Sequence, residues 1–103
     1  MQMHAMKRIE LIIEKIPYKR ACRVLEAVGM TGYTVLPAMA GFGGGNRWSR
    51  DTDISASGDM VAIISIGDAE KVDEALRQIA DLLGDHIGVV TVSDVEVLRP
   101  DRF

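Results

Sequence analysis

The chain has 103 residues, 48% of them hydrophobic and 26% charged, with a formal net charge of -3. That length holds one domain with one hydrophobic core and leaves a large surface for its volume, so association of copies is a natural supplement. The composition excludes a disordered segment, the acidic balance excludes general nucleic-acid binding, and no apolar run approaches the ~20 residues of a membrane-spanning helix.

Cys22 is the sole cysteine, which rules out an intramolecular disulfide and a multi-cysteine zinc site. The compartment is read as reducing and the expected location is the cytoplasm. Met6-Lys7-Arg8-Ile9 reads as a natural chain start, so Met1 to Ala5 are expected to be a loose extension or the product of an alternative start.

In chain order, Lys7 to Ile16 mixes charges with Ile9, Leu11, Ile12 and Ile13, as a strand buried on one face does. Pro17 resets the chain. Ala21, Val24, Leu25 and Val28 recur at helical spacing and Gly29 follows, which predicts a helix over Tyr18 to Val28. Gly32 to Ala38 reads as a second strand, with Leu36-Pro37 marking an edge or a strand end.

Met39 to Gly58 has no sustained period and is rich in Gly, Ser, Asp and Arg, which predicts a long loop, and such loops in compact domains are functional or disordered. Asp59 to Gly67 holds Val61, Ala62, Ile63, Ile64 and Ile66 and is the clearest strand. Asp68 can cap the following helix, whose apolar face is Val72, Ala75, Leu76, Ile79, Leu82 and Leu83 and which Gly84 ends. Val89 to Val92 and Val95 to Leu98 supply two further strand signals. The order is the ferredoxin-like βαββαβ pattern, an α+β fold with an antiparallel sheet and both helices on one face. Its other face is partly apolar and uncovered, which favours burial against other subunits.

Within the long loop, Gly41-Phe42-Gly43-Gly44-Gly45-Asn46-Arg47-Trp48-Ser49-Arg50 is a poor strand or helix. Backbone amides of Gly43 and Gly44 can approach an oxyanion closely, although a plain linker has the same composition. Arg47 and Arg50 are solvated charges or anion contacts; Arg47 is the preferred contact, because a guanidinium fork fits a planar oxyanion bidentately. Trp48 reads as a loop anchor or an interface residue, with an anchor that orders the loop on binding preferred. Glu10 and Glu14 share a strand face and are read as contacts to a neighbouring subunit rather than an acid/base pair. His4 and His86 carry no metal-ligand spacing, and the sequence has no nucleophile motif, Walker loop or Rossmann fingerprint.

With these elements placed, the chain resembles the PII signal-transduction superfamily from Met6 onward. The match is carried by Val28-Gly29-Met30-Thr31-Gly32-Tyr33-Thr34-Val35, by Gly41-Phe42-Gly43, and by Gly84-Asp85 with Gly88. The resemblance implies a single PII-like domain over residues 1–103, with residues 39–58 as the T-loop and 84–88 as the B-loop. It implies a homotrimer that binds adenine nucleotides between subunits. The implied nucleotide contacts are Thr34, Gly41, Phe42, Gly43, Gly44, Gly84, Asp85, His86, Ile87, Gly88, Arg99 and Arg102. Gly45, Asn46, Arg47 and Arg50 are the expected anion site.

Departures from that pattern matter too. Where familiar members carry a basic residue and a glutamine after Gly-Phe-Gly, this chain has Gly44 and Gly45, which weakens the expectation of 2-oxoglutarate sensing. No tyrosine lies between Met39 and Gly58, so uridylylation is not expected, and the B-loop lysine that grips a triphosphate has no counterpart in Asp85-His86-Ile87. ADP or AMP is therefore favoured, with ATP admitted. The short T-loop and the ending Val97 to Phe103 resemble the PII-like branch tied to inorganic carbon, which implies bicarbonate as effector, a transporter or carbon-fixation component as partner, and carboxysome association. The expectation is a regulator and not an enzyme. A small isomerase or weak nucleotide hydrolase on the same fold, or a metal- or amino-acid-binding regulator, remains open at this point.

Overall fold

The computed structural model describes residues 1–43, 45–49 and 60–102. Strand β1 (His4–Glu14) alternates, and the alternation puts Ile9, Leu11 and Ile13 in the core. His4 and Ala5 pair with Val97 and Glu96, so the expected loose extension loses its last two residues to the strand. The chain passes from β1 directly into α1 (Lys15–Ala27), which starts at Lys15 and not at Tyr18. Pro17 lies in the first turn, where its missing N–H has no intrahelical partner to lose, so it opens the helix instead of breaking it. Gly29, at φ 89, turns the chain out of α1.

Strand β2 (Tyr33–Pro37) forms a sheet edge, as Leu36-Pro37 foreshadows. Two short strands follow, β3 (Ala40–Gly43) and β4 (Asn46–Ser49), paired as a separate antiparallel ribbon. The aperiodic loop expected over residues 39–58 thus carries ordered strand pairing in its first half. Strand β5 (Met60–Gly67) is followed by α2 (Ala69–Leu83), with the Asp68 carboxylate accepting the Lys71 N–H at 3.0 Å as its N-cap. Strand β6 (Gly88–Val97) is continuous where the sequence shows two signals. The intervening Ser93 and Asp94 pair with Arg8 and Lys7, and on an edge strand such polar residues interrupt nothing.

The main sheet has the order β2-β5-β1-β6 with every neighbour antiparallel, the ferredoxin-like arrangement. Ile9, Leu11, Ile13, Val61 and Ile63 on one face pack against Ala21, Leu25, Val72, Ala75 and Ile79 of the two helices. Ser65, fully buried in that layer, donates to the Gly32 carbonyl at 2.7 Å and ties the α1–β2 connection to β5. Among the described residues no helix covers the opposite face, which carries Ile12, Ile64, Ile66, Val89 and Val97 together with an Arg8–Glu10 ion pair of 3.5 Å. Among the described residues, no helix is long and apolar enough to cross a membrane.

Candidate ligand site

The glycine-rich ribbon leaves the sheet at the end of β2, where the Ala38 N–H donates to the Met60 carbonyl at 3.0 Å. Its pairs are Ala40 with Ser49, Gly41 with Trp48, Phe42 with Arg47 and Gly43 with Asn46. Opposed residues share a face, so Phe42 and Arg47 stand together on one side and Gly41 and Trp48 on the other. Gly45, at φ 81, lies in the connection between the strands, a conformation that favours glycine. The Trp48 indole lies across Gly41. Phe42 and Arg47 are exposed. Gly44 and Arg50 lie outside the described residues.

At the same end of the sheet, Gly84 closes α2 and Gly84 to Gly88 lead into β6. The His86 N–H returns to the Leu83 carbonyl at 2.6 Å. The Ile87 N–H donates to Glu14 Oε1 at 2.6 Å, and the Glu14 N–H donates to the Ile87 carbonyl at 3.3 Å. His86 Nε2 is 3.2 Å from an Arg20 guanidinium nitrogen, and His86 Nδ1 is 3.9 Å from the Glu14 carboxylate. A side chain at Gly88 would come within 2.9 Å of Leu83 Cδ2 and 3.1 Å of the Ile12 carbonyl, so only glycine lets the loop join β6 this closely. Asp85 is exposed.

Arg99 and Arg102 sit elsewhere. They line a cleft of about 410 Å³ with Ile66, Val97 and Pro100, just past the point where Val97 pairs with His4. The Arg102 N–H closes this turn on the Arg99 carbonyl at 3.1 Å, and its guanidinium is 3.9 Å from Asp101. Strand β5 separates this cleft from the glycine loops, and its length from Met60 to Gly67 is about 23 Å at ~3.3 Å per residue. Thr34, exposed on β2 opposite Ile64, lies between the two groups on the uncovered face.

One chain therefore gathers the ribbon and the loop 84–88 at one end of the sheet and leaves both C-terminal arginines at the other. Glu14 and Arg20 were not among the expected ligand contacts, and within the chain the Glu14 carboxylate is turned to the loop 84–88. Both bonds to the loop 84–88 depend on long-range pairing; the only sequence hint is that a carboxylate stands immediately before Lys15-Ile16-Pro17.

A second polar cluster lies on the outer side of α1. The Tyr33 hydroxyl donates to Glu26 Oε2 at 2.6 Å, and this bond, helped by burial, raises the phenol above its ordinary pKa. Burial likewise pushes the Cys22 thiol up, which disfavours the reactive thiolate. Among the described residues, no group of three or more His, Cys, Asp or Glu is placed to hold a metal ion.

The family model of nitrogen regulatory protein P-II matches residues 6–102, and the chain belongs to that family of signalling proteins. Among solved structures it is similar to CPII, a nitrogen regulatory PII-like protein from Thiomonas intermedia solved with ADP, AMP and bicarbonate. The two are 26% identical over 96% of this chain and 93% of that one, with a TM-score of 0.85. A PII-like signalling protein from Thermus thermophilus shares the fold at 20% identity, covering 100% and 99% of the two chains with a TM-score of 0.82. The ATP complex of GlnK from B. subtilis is more distant, at 15% identity over 88% and 82% of the chains and a TM-score of 0.61. No curated protein matches the sequence.

Proposed function

We propose that this protein is a homotrimeric PII-like regulator, one domain per chain, that binds ADP or AMP in clefts between subunits. Bicarbonate is its co-effector, and the T-loop over residues 39–58 is its output. The observation that carries this reading is the separation of the expected contacts. Gly41 to Gly43, Arg47 and Gly84 to Gly88 lie at one end of the sheet, Arg99 and Arg102 about 23 Å away at the other. A nucleotide met by both groups has to bridge two chains. The uncovered face with Ile12, Ile64, Ile66, Val89 and Val97 supports such an assembly, because an apolar sheet face favours burial.

The ligand classes follow from the relative solved with ADP, AMP and bicarbonate. Phosphate oxygens would take the Gly43 and Gly44 amides and the arginine cleft, and Arg47 on the ribbon would take the planar oxyanion. The segment's glycines lose much conformational freedom on ordering, so the first ligand to fix the segment lowers the cost for the second. The fixed or released segment then meets a transporter or carbon-fixation component in the cytoplasm or at the carboxysome. The protein acts through binding and not through turnover.

Calorimetry with ADP, AMP, ATP and GDP tests the reading. Adenine-selective binding is expected, with ADP and AMP at least as tight as ATP. No binding of any of the four, or GDP bound as tightly as ADP, would refute it.

A further inference from the structure

Glu14 is the N-cap residue of α1, yet its side chain makes no capping bond to that helix. Its carboxylate goes to the loop 84–88 instead, accepting the Ile87 N–H at 2.6 Å with His86 Nδ1 3.9 Å away. Arg20, in α1, stands 3.2 Å from the far nitrogen of the same imidazole. A backbone amide and an imidazole nitrogen beside one carboxylate, with a guanidinium on the far side of that imidazole, form a donor set of the kind an external oxyanion would use. Here the chain's own anion holds the place. The Glu14 side chain is only 14% exposed, so water screens its charge poorly.

We infer that Glu14 is a specificity-determining residue that keeps a terminal phosphate out of the loop Gly84 to Gly88 and thereby biases the site towards AMP and ADP. The inference rests on the nucleotide reading above, in which Gly84 to Gly88 are among the nucleotide contacts. A phosphate reaching the loop has to displace the carboxylate from the Ile87 N–H or lie against it. Either way the like charges repel, and the repulsion grows with each phosphate that extends towards the loop. A missing lysine only lowers the attraction for ATP, whereas Glu14 supplies an active discrimination against it.

Calorimetry at fixed pH and ionic strength provides the test, with Kd for ATP and AMP measured on the wild type, Glu14→Gln and Glu14→Asp. Gln keeps an acceptor oxygen for the Ile87 N–H and removes the charge, so the ratio of ATP to AMP Kd should fall about tenfold. Asp keeps the charge and should stay within about twofold of the wild-type ratio. An unchanged ratio in Glu14→Gln, with AMP still bound, overturns the inference while leaving the nucleotide reading intact; an equal fall in Glu14→Asp overturns it as well, by assigning the effect to loop geometry. Failure of every nucleotide to bind the wild type removes both readings.

Discussion

A Cβ placed on Gly41 would lie 2.5 Å from Cζ2 of Trp48, so the indole occupies the space a side chain at position 41 would take. The pair joins the two strands of the ribbon across their register, and it converts a glycine that weakens β3 into a seat for the one tryptophan.

Gly41→Ala should therefore push the indole off the ribbon. Because Trp48 is the only tryptophan, its emission reports this directly, and a red shift towards the solvent-exposed value is expected. Global stability should change by less than about 0.5 kcal/mol, since none of the ribbon's described residues belongs to the buried core cluster. Nucleotide affinity should fall with the displaced strand. An unaltered emission spectrum would mean that the indole does not depend on a bare Gly41.

Arg47 shares a ribbon face with Phe42 and both are exposed. Arg47→Ala should reduce the effect of bicarbonate on nucleotide affinity severalfold while changing affinity in chloride much less. The coupling is reciprocal, so bicarbonate affinity with and without ADP must move by the same factor. Titrations in bicarbonate and chloride at one pH and ionic strength measure it. A full bicarbonate response in the variant would exclude Arg47 as the anion contact.

The hydrogen bond from Tyr33 to Glu26, followed by burial, raises the folded-state pKa of the phenol. The folded protein then holds this proton where the unfolded chain releases it, so the contribution to stability is complete below the unfolded value of about 10 and is lost as pH rises through the folded value. Tyr33→Phe should remove the latest part of the tyrosinate absorbance change and flatten the alkaline fall in stability. An alkaline absorbance titration with the late portion intact in Tyr33→Phe would assign that portion to another group.

Much of the fold was readable from residues whose signals are local. The β-branched run from Val61 to Ile66 could be little else than a buried strand, and Asp68 with Gly84 bracketed α2 because cap chemistry acts within a turn. Pro17 misled because the residue that breaks a helix interior also opens a helix, and spacing alone does not say which turn it occupies. The ribbon escaped notice for a similar reason: Gly41, Gly43, Gly44 and Gly45 erase strand propensity, and only the cross-strand seat of Trp48 restores it. Gly44-Gly45 between Phe42 and Arg47 was a usable turn signal. The bond of Glu14 to Ile87 joins residues 73 positions apart, and no local pattern encodes it.

A nucleotide held between chains is tested most directly by native mass spectrometry in excess ADP. The predicted spectrum is a complex of three 11.3 kDa chains carrying up to three ADP, with nucleotide-free chains appearing only when the complex dissociates. Single chains that retain ADP, with no trimer, would contradict the account, because one chain holds its glycine loops and its Arg99–Arg102 cleft at opposite ends of the sheet.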